Sequence, residues 1–483
     1  MRHDSPQRWI PLALILGDLF AFFLAVYFSR LSHAWYYHES VWYVLDNWWG
    51  SLVEVNILLF LLLAFLGIVA FQLKGHYARR RVVWDEIGDI LAVFTVLLGL
   101  NAAIAFSGKW PLSRLWLFSF WLLALLLVPA VRLLLRRAFL WLKLWKRPVA
   151  VIGSGPAAWD AIAAVQSDPV LGYEVRWVLC PDDTEPYARL SDPRNHFHVT
   201  PLGSDPLATL RALGSPETIL ALDNKQWSLQ ESLIRLLGLH YPNLAIAPAL
   251  RGLPLYGLEV MHFFSHEVFM LRIRDNLARP GPRLVKRAFD LLSSVVLLLV
   301  LSPVFLFIAW RIKAGDGGPV FFRQERVGRA GQSFACWKFR SMVPDAEARL
   351  RRYLAENPAI AEEYQRNFKL RDDPRITRIG KFLRRSSLDE LPQLFNVLFG
   401  EMSLVGPRPL LARETERYGP NIALYHLVRP GITGLWQVSG RSETTFDDRS
   451  ALDAWYVKNW TLWYDIVILL RTVGVVLGRN GAY

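Results

Sequence analysis

The chain has 483 residues, of which 53% are hydrophobic, and its mean hydropathy is +0.23. These values exclude an ordinary soluble protein and predict a membrane protein of about three domains. Lys and Arg outnumber Asp and Glu by 55 to 42 without forming a nucleic-acid-binding motif, so we expect anionic partners such as membrane lipids or phosphorylated substrates, and no nucleic acid.

Four apolar runs of near-bilayer length open the chain and predict a four-helix transmembrane bundle over residues 1–146. The first run lacks a convincing small-residue cleavage site, so we expect it to stay in the mature protein. Lys and Arg follow the second and fourth runs but are missing from the loop 31–50, which places both ends of the bundle in the cytoplasm by the positive-inside rule. The runs are Ile10–Phe28, Ser51–Leu73, Ile87–Phe106 and Leu115–Leu135.

Three acidic residues, Asp18, Glu54 and Asp89, lie within these runs or at their edges. Charged residues inside a membrane segment can mark a transport pathway. These three follow no repeating pattern, so we favour helix packing or placement near the helix ends.

The middle domain, residues 147–279, has the alternating strands and helices of a Rossmann-like α/β unit. Its opening segment RPVAVIGSGPAAWDAIAAV predicts a strand, a glycine turn and a helix, with Gly153, Gly155 and Ala158 in the spacing G-x-G-x-x-A. In that context the glycines let a nucleotide pyrophosphate approach the helix, so Gly153 and Gly155 are candidate nucleotide-binding residues. They could instead serve only tight packing between strand and helix.

The glycine motif also raises a competing enzyme class, a membrane-anchored NAD-dependent sugar-nucleotide epimerase or dehydratase. Short-chain enzymes of this kind need a Tyr-x-x-x-Lys pair, in which the lysine lowers the tyrosine pKa so that the tyrosine can act as a base. None of the 16 tyrosines is followed by Lys at the fourth position. This class is therefore disfavoured.

A fifth apolar run, Asp290–Trp310, begins the last domain, residues 280–483, and has basic residues on both flanks. A spanning helix would carry the basic segment after it out of the cell. A re-entrant hairpin over residues 284–313 keeps both flanks on one side, with a break at Ser302 and Pro303, where proline removes a backbone donor and the serine hydroxyl can bond to the freed carbonyl. A proline kink in a spanning helix is the alternative, and the flanking charge favours the hairpin.

Two adjacent carboxylates, Asp389 and Glu390, precede an apolar helical pattern in SSLDELPQLFNVLFG. Ser387 and Glu390 have the spacing of a capping box, in which each side chain accepts a backbone N–H at the helix end. A helix N-terminus also attracts phosphate and lowers the pKa of a nearby carboxyl group. The spacing therefore predicts a helix start and leaves a catalytic role open.

Glycine, proline and basic residues alternate in three blocks of the last domain, as in loops that hold phosphate oxygens. The blocks contain KFRSM, SLDELPQL, SLVGPRP and PGITGLWQVSGR. Over roughly Pro282 to Tyr483 these motifs closely resemble the bacterial sugar transferases, the monotopic phosphoglycosyl transferases. The whole chain resembles the large members of that family. The expected architecture is a four-helix transmembrane bundle, a Rossmann-like α/β middle domain and an α-rich monotopic catalytic domain with a re-entrant membrane hairpin.

The resemblance implies transfer of a hexose 1-phosphate from a UDP-sugar to undecaprenyl phosphate with release of UMP, as the first membrane step of O-antigen or exopolysaccharide synthesis. Asp389 would be the nucleophile that forms a covalent phosphosugar intermediate, and Asp389 and Glu390 would bind the cofactor Mg2+. Overall resemblance favours galactose, and glucose is the alternative because no identifiable residue reads a single epimeric hydroxyl.

The same resemblance supplies further site residues. Ser302 and Pro303 match the break of the family's re-entrant helix. Seven polar, basic or acidic positions match the motifs that contact the phosphates or the uridine or are associated with the active site. These candidates are Lys338, Arg340, Arg384, Arg408, Thr433, Arg441 and Asp453.

The resemblance also implies a place in the bacterial inner membrane, with the catalytic domain on the cytoplasmic face among membrane lipids. Asp465 and Arg471 interrupt the apolar segment Asn459–Gly478, so we expect an interfacial helix there and no sixth span. The size of the chain and its extra domains suggest a homodimer. A membrane transporter or lipid flippase, with the basic domain as a regulator, is the alternative of another class.

Overall fold

The computed structural model describes residues 9–38, 55–108, 113–181, 186–248, 258–262, 269–273, 276–277, 279–356, 373–439 and 445–478. The chain forms two compact units, Met1–Arg251 and Gly252–Tyr483. The first unit contains the predicted transmembrane bundle and nearly all of the predicted α/β domain. The second contains the fifth apolar run and the sugar transferase motifs.

Four long helices open the first unit, and each coincides with one predicted span. They are α1 (Trp9–Tyr36), α2 (Val55–Leu73), α3 (Val83–Ser107) and α4 (Arg114–Trp141). In the described part of the chain, α1, α3 and α4 are long and apolar enough to cross a membrane, as is one helix of the second unit. Aromatic side chains fill the bundle core, where the rings of Phe60 and Phe120 stack with their centroids 4.3 Å apart. The protein is therefore a membrane protein.

A buried charge cluster joins three of these helices. Arg132 of α4 donates to Asp18 of α1 from Nε at 2.8 Å and to Glu86 of α3 from Nη1 at 2.5 Å. Paired charges of this kind fix the packing of helices, which is the role expected for Asp18. Asp89 lies in the second turn of α3, close to the helix end, and Glu54 lies outside the described residues.

The α/β domain of the first unit is one parallel sheet with helices on both faces. Its strands are β1 (Arg147–Ile152), β2 (Tyr173–Cys180), β3 (His198–Pro201), β4 (Glu217–Leu220) and β5 (Leu244–Ile246), and its helices are α5 (Pro156–Gln166), α6 (Pro206–Ala212), α7 (Asn224–Leu229) and α8 (Glu231–His240). The strand order is β3-β2-β1-β4-β5, as in the first five strands of a dinucleotide-binding sheet. Ile162 of α5 packs on one face, and Leu210 of α6 and Leu237 of α8 pack on the other. The predicted parallel sheet is confirmed.

The second unit combines two antiparallel ladders and one short parallel ladder with many helices. The strands are β6 (Leu258–His262), β7 (Phe269–Ile273), β8 (Phe321–Val327), β9 (Ser333–Phe339), β10 (Ser403–Val405) and β11 (Gly431–Thr433). The helices are α9 (Pro280–Asp316), α10 (Ala346–Glu356), α11 (Arg378–Arg385), α12 (Gln393–Phe399), α13 (Ile422–Leu427), α14 (Leu435–Val438), α15 (Phe446–Lys458) and α16 (Leu462–Gly478). β6 pairs with β7 and β8 with β9 in antiparallel register, and β10 pairs with β11 in parallel.

Helix α9 has 37 residues and runs continuously through Ser302 and Pro303. Pro303 cannot donate to the carbonyl oxygen of Leu299, and the Ser302 hydroxyl donates to that oxygen at 2.8 Å instead. This is the compensation that the sequence predicts at the proline. The predicted break at Ser302 and Pro303 is therefore not seen, because proline is accommodated within a continuous helix. The re-entrant course of α9 stays a prediction.

Both halves of α9 contact the same short helix, α12. Near the start of α9, Arg287 Nη1 donates to Val397 O at 2.6 Å, and beyond the proline the ring of Phe305 lies 6.0 Å from that of Phe395. Helix α12 has 7 residues and is about 10 Å long, whereas about 27 Å of straight helix would separate Arg287 from Phe305. Between these contacts the apolar side chains are open to the surroundings, with Leu299 70% exposed.

Candidate active site

The segment that carries Asp389 and Glu390 links α11 to α12. It is a single 3-10 turn, Leu388–Glu390, preceded by Ser387. Ser387 has a φ of 55°, in the left-handed region that residues other than glycine seldom adopt, and its side chain makes no capping hydrogen bond. The predicted capping box is therefore wrong. Ser387 and Glu390 are instead part of a turn, and the Glu390 side chain forms an ion pair with Lys338.

Three charged side chains lie near Asp389: the acid Glu390 and the cations Lys338 and Arg384. Lys338 Nζ lies 2.7 Å from Glu390 Oε1. Burial raises the pKa of Asp389 to about 6, and the negative charge of Glu390 adds to this, while Lys338 and Arg384 act in the opposite direction. Arg384 is held by a hydrogen bond of 2.9 Å from its Nε to Ser341 Oγ. At neutral pH the Asp389 carboxyl group is therefore mostly ionised although it is poorly solvated.

Arg408, which the sequence motifs predict as a site residue, and Arg326, which they do not, lie near each other. Arg408 is half-buried, whereas its neighbours on both sides along the chain are buried. Arg326 of β8 donates from Nη1 to Pro409 O at 3.1 Å. Burial lowers the pKa of Arg326, the like charge of Arg408 lowers it further, and Glu390 acts in the opposite direction. Arg326 is thus a second cation beside Arg408, within electrostatic range of Glu390. The sequence shows it only as an arginine in the strand that precedes the KFRSM strand.

Arg340 and Thr433 are held by other elements. Arg340 is buried and donates to Asp316 at the end of α9. Thr433 Oγ1 lies 2.7 Å from Thr472 Oγ1 of α16. These contacts attach α9 and α16 to the rest of the second unit. A substrate contact of either residue stays a prediction. Arg441 lies outside the described residues.

Asp453 of α15 is buried close to the Arg408 loop. Its carboxyl group accepts a hydrogen bond from the Tyr418 hydroxyl, and Arg408 lies close enough for its charge to act on the pKa of this carboxyl group. Burial raises the pKa of Asp453 to about 6, and the bond from Tyr418 and the charge of Arg449 act in the opposite direction. The guanidinium groups of Arg449 and Arg408 lie 4.9 Å and 5.8 Å from the ring centroid of Trp436. Asp453 thus lies near the Arg408 loop with Tyr418 and Arg449 beside it, and no sequence motif predicted those two residues.

Gly153 and Gly155 lie in the first unit, in the turn from β1 to α5. A side chain on Gly153 would meet the carbonyl oxygen of Ala221, and one on Gly155 would meet the carboxylate of Asp223. The close packing between strand and helix that the motif predicts is present. Nucleotide binding by these glycines stays a prediction.

Asp389 and Glu390 are the two carboxylates expected to hold Mg2+. Among the residues that the structure describes, no three His, Cys, Asp or Glu side chains form a cluster suited to a metal ion. Mg2+ is commonly held by one or two carboxylates, with substrate phosphates and water completing its octahedron. Adjacent carboxylates in a half-buried turn, beside cations that attract phosphate, fit this donor set.

Comparison with known proteins agrees with the motifs. The bacterial sugar transferase family model matches residues 281–479. Over 473 residues the chain is 38% identical to the undecaprenyl-phosphate galactose phosphotransferase of Salmonella typhimurium, with 97% of each chain covered. It is 38% identical to the UDP-galactose-lipid carrier transferase of Erwinia amylovora over 89% of each chain. It is 30% identical to the UDP-glucose:undecaprenyl-phosphate glucose-1-phosphate transferase of Escherichia coli, over 88% of this chain and 90% of that relative.

Proposed function

This chain belongs to the bacterial sugar transferase family, and we propose that it transfers galactose 1-phosphate from UDP-galactose to undecaprenyl phosphate and releases UMP. The observation that carries this proposal is the half-buried turn that presents Asp389 beside Glu390, Lys338 and Arg384. A phosphoglycosyl transferase needs an acceptor for the phosphosugar and cations that neutralise the phosphates. This turn supplies both.

Asp389 is the nucleophile of the first displacement. One carboxylate oxygen attacks the phosphorus atom that bears the sugar. A new P–O bond to Asp389 forms while the P–O bond to UMP breaks, and UMP leaves with that bonding pair. Repulsion between the carboxylate and the diphosphate opposes this step, and the positive charges of Lys338 and Arg384 reduce it.

In the second displacement, a phosphate oxygen of undecaprenyl phosphate attacks the same phosphorus atom. The bond to Asp389 breaks, the carboxylate is restored, and the sugar is left on a lipid diphosphate. Because UMP departs first, the two anionic substrates need not occupy the phosphate site together. This sequence commits a sugar to the lipid carrier used in polysaccharide synthesis.

The other charged residues hold these groups in place. Lys338 orients Glu390 through their 2.7 Å ion pair, and Ser341 orients Arg384. Arg408 offers a guanidinium fork that matches phosphate oxygens. When bound by Asp389 and Glu390, Mg2+ supplies further neutralisation of charge on the phosphate oxygens.

The same proposal makes α9 a re-entrant helix bent at Pro303. Support comes from the contacts of Arg287 and Phe305 with the short α12, and from the exposed apolar surface between and beyond them, where Leu306 is 72% exposed. A bend leaves both ends of α9 on the cytoplasmic side of the bacterial inner membrane. The active site then lies at head-group depth, where a soluble UDP-sugar and a membrane-held phosphate can both reach it.

We also propose a homodimer. The β6–β7 ladder leaves apolar side chains open, with Val260 52% and Met270 51% exposed. In a dimer, the same apolar surface of a second copy covers these side chains. Mass photometry of the detergent-solubilised chain tests this, because a single species at the monomer mass would contradict it.

Radiolabelled UDP-galactose and UDP-glucose, each with undecaprenyl phosphate in membranes, test the reaction and the sugar. The galactose assignment rests on the higher identity, 38% against 30%, to relatives named for galactose. We expect transfer from UDP-galactose and at least about tenfold less from UDP-glucose. A preference for glucose would reassign the donor, and no transfer from either would refute the reaction.

A further inference from the structure

The loop Val405–Pro409 presents Arg408 from a backbone that is held on several sides. Gly406 N donates to Thr433 O of β11 at 2.9 Å. Arg326 Nη1 donates to the last carbonyl oxygen of the loop at 3.1 Å. Prolines on both sides of Arg408 restrict the backbone further. The loop therefore holds Arg408 in a preorganised position.

The first carbonyl oxygen of this loop, Val405 O, is bonded by a buried cluster at the start of α9. Lys286 Nζ donates to it at 3.1 Å, and the Tyr456 hydroxyl oxygen lies 3.0 Å from it. Lys286 Nζ also lies 2.6 Å from Asp465 Oδ2 of α16, and the Tyr456 hydroxyl donates to Asp465 Oδ1 at 2.7 Å. Buried ion pairs are favourable only where further hydrogen bonds complete them. Val405 O completes this one.

We propose that Lys286 is a positioning residue for Arg408, a role that rests on the proposed function. Lys286 lies in the second turn of α9, the helix that enters the membrane. Its ammonium group therefore links the position of α9 to the position of the loop backbone at Val405, three residues before Arg408. A guanidinium fork binds phosphate oxygens in a fixed geometry, so a small displacement of the loop lowers the rate of transfer.

A double-mutant cycle on kcat/KM for UDP-galactose in membranes tests this role, with Lys286→Met and Arg408→Lys. Lysine at position 408 is a flexible point charge that depends less on backbone placement than the planar arginine fork. We expect Lys286→Met to lower kcat/KM about tenfold in the native chain but less than about twofold beside Arg408→Lys. Equal losses in the two backgrounds, or no loss in the native chain, would overturn the proposal.

Two further variants support the cycle. Asp465→Asn removes the other half of the ion pair and should show the same coupling, which keeps the proposal testable if Lys286→Met folds poorly. Arg287→Met is the matched control, because Arg287 is the next cation on α9 but donates to α12, so its effect should be additive with Arg408→Lys. A native chain that releases no UMP refutes the proposed function, whereas an active chain with additive losses refutes only the positioning role.

In the α/β domain, a carboxylate lies against the second glycine of the turn from β1 to α5. A Cβ on Gly155 would overlap the carboxylate of Asp223, which follows β4. Asp223 Oδ1 accepts from Ala157 N at 3.1 Å in the first turn of α5. Pro156, at the start of that helix, has no N–H. The N–H groups of Ala158 and Trp159 donate to Gly155 O at 3.1 Å and 3.4 Å.

We infer that Asp223 takes the place of a nucleotide phosphate and that this domain binds no dinucleotide. A pyrophosphate at this turn needs free N–H donors at the helix N-terminus and open space beside the second glycine. Asp223 uses the space and one donor, and its charge repels phosphate. Its carboxylate stabilises the N-terminus of α5 as a bound anion would.

Equilibrium dialysis of radiolabelled NAD+ against the full chain tests this inference. We expect no saturable binding up to about 1 mM. Asp223→Ala should lower the melting temperature, because the N-terminus of α5 loses its anion, whereas the control Asp192→Ala, at an acid paired with an exposed arginine, should not. Saturable binding of NAD+ by the native chain, or an unchanged melting temperature for Asp223→Ala, would overturn the inference.

Discussion

Lys338 Nζ lies 2.7 Å from Glu390 Oε1, so a residue of β9 holds the turn that presents Asp389. The two partners are 52 positions apart in the chain. Their ion pair joins the KFRSM and SLDELPQL motifs into one site. It also fixes Glu390 in a turn where the Ser387 side chain makes no capping bond.

Replacing Lys338 with Met should lower kcat/KM for UDP-galactose at least about tenfold. The change removes a cation that offsets phosphate charge and releases Glu390 from its ion pair. Lys338→Arg keeps the charge and should restore part of the loss. Release of UMP measures both variants, and native kcat/KM in Lys338→Met would show that the pair has no part in the reaction.

Asp389→Asn should lower turnover at least about 1,000-fold, because an amide cannot form the phosphosugar bond. Mass spectrometry of native enzyme incubated with UDP-galactose and Mg2+ should find galactose phosphate on the peptide that contains Asp389. Asp447→Asn, at an exposed acid, is the matched control and should keep native turnover. Survival of turnover in Asp389→Asn, with its loss in Asp453→Asn, would show that the nucleophile is wrongly assigned.

Sequence rules predicted the features that a few neighbouring residues decide. The Ser302 hydroxyl donates to the carbonyl oxygen of Leu299, which Pro303, the next residue, leaves without a backbone donor. The capping-box prediction was wrong because the same spacing also fits a turn. Glu390 instead forms an ion pair with Lys338, which is distant in sequence. Arg326 was missed because its role depends on the packing of β8 against the Arg408 loop, a contact that no local pattern encodes.

Asp453→Asn should change how stability depends on pH. Burial raises the pKa of Asp453 from 3.8 to about 6. The folded chain therefore holds this proton more tightly than the unfolded chain, so the contribution of Asp453 to stability is full below about pH 4 and is lost as the pH rises through about 6. Relative to Asp453→Asn, the native chain should lose up to about 3 kcal/mol across that range. Thermal unfolding at matched pH measures the difference, and a flat or rising difference would contradict the raised pKa.

Cysteine labelling tests the bend in α9. In a chain with Cys180 and Cys336 replaced by Ser, Arg283→Cys and Lys313→Cys introduce one thiol at each end of the helix, at exposed positions. A re-entrant helix predicts that an impermeant maleimide labels both thiols in inside-out vesicles and neither in right-side-out vesicles. Labelling from opposite sides would show that α9 spans the membrane.

Truncation separates the enzyme from a transporter built on the spans. The compact unit Gly252–Tyr483 contains Asp389 and the charged residues around it, and the family model matches residues 281–479 within it. We therefore expect this fragment in membranes to release UMP from UDP-galactose at a rate within about tenfold of the full chain. Asp389→Asn in the fragment is the control and should abolish that release. Loss of all turnover from a fragment that stays folded would mean that the chemistry depends on the bundle, as the transporter alternative requires.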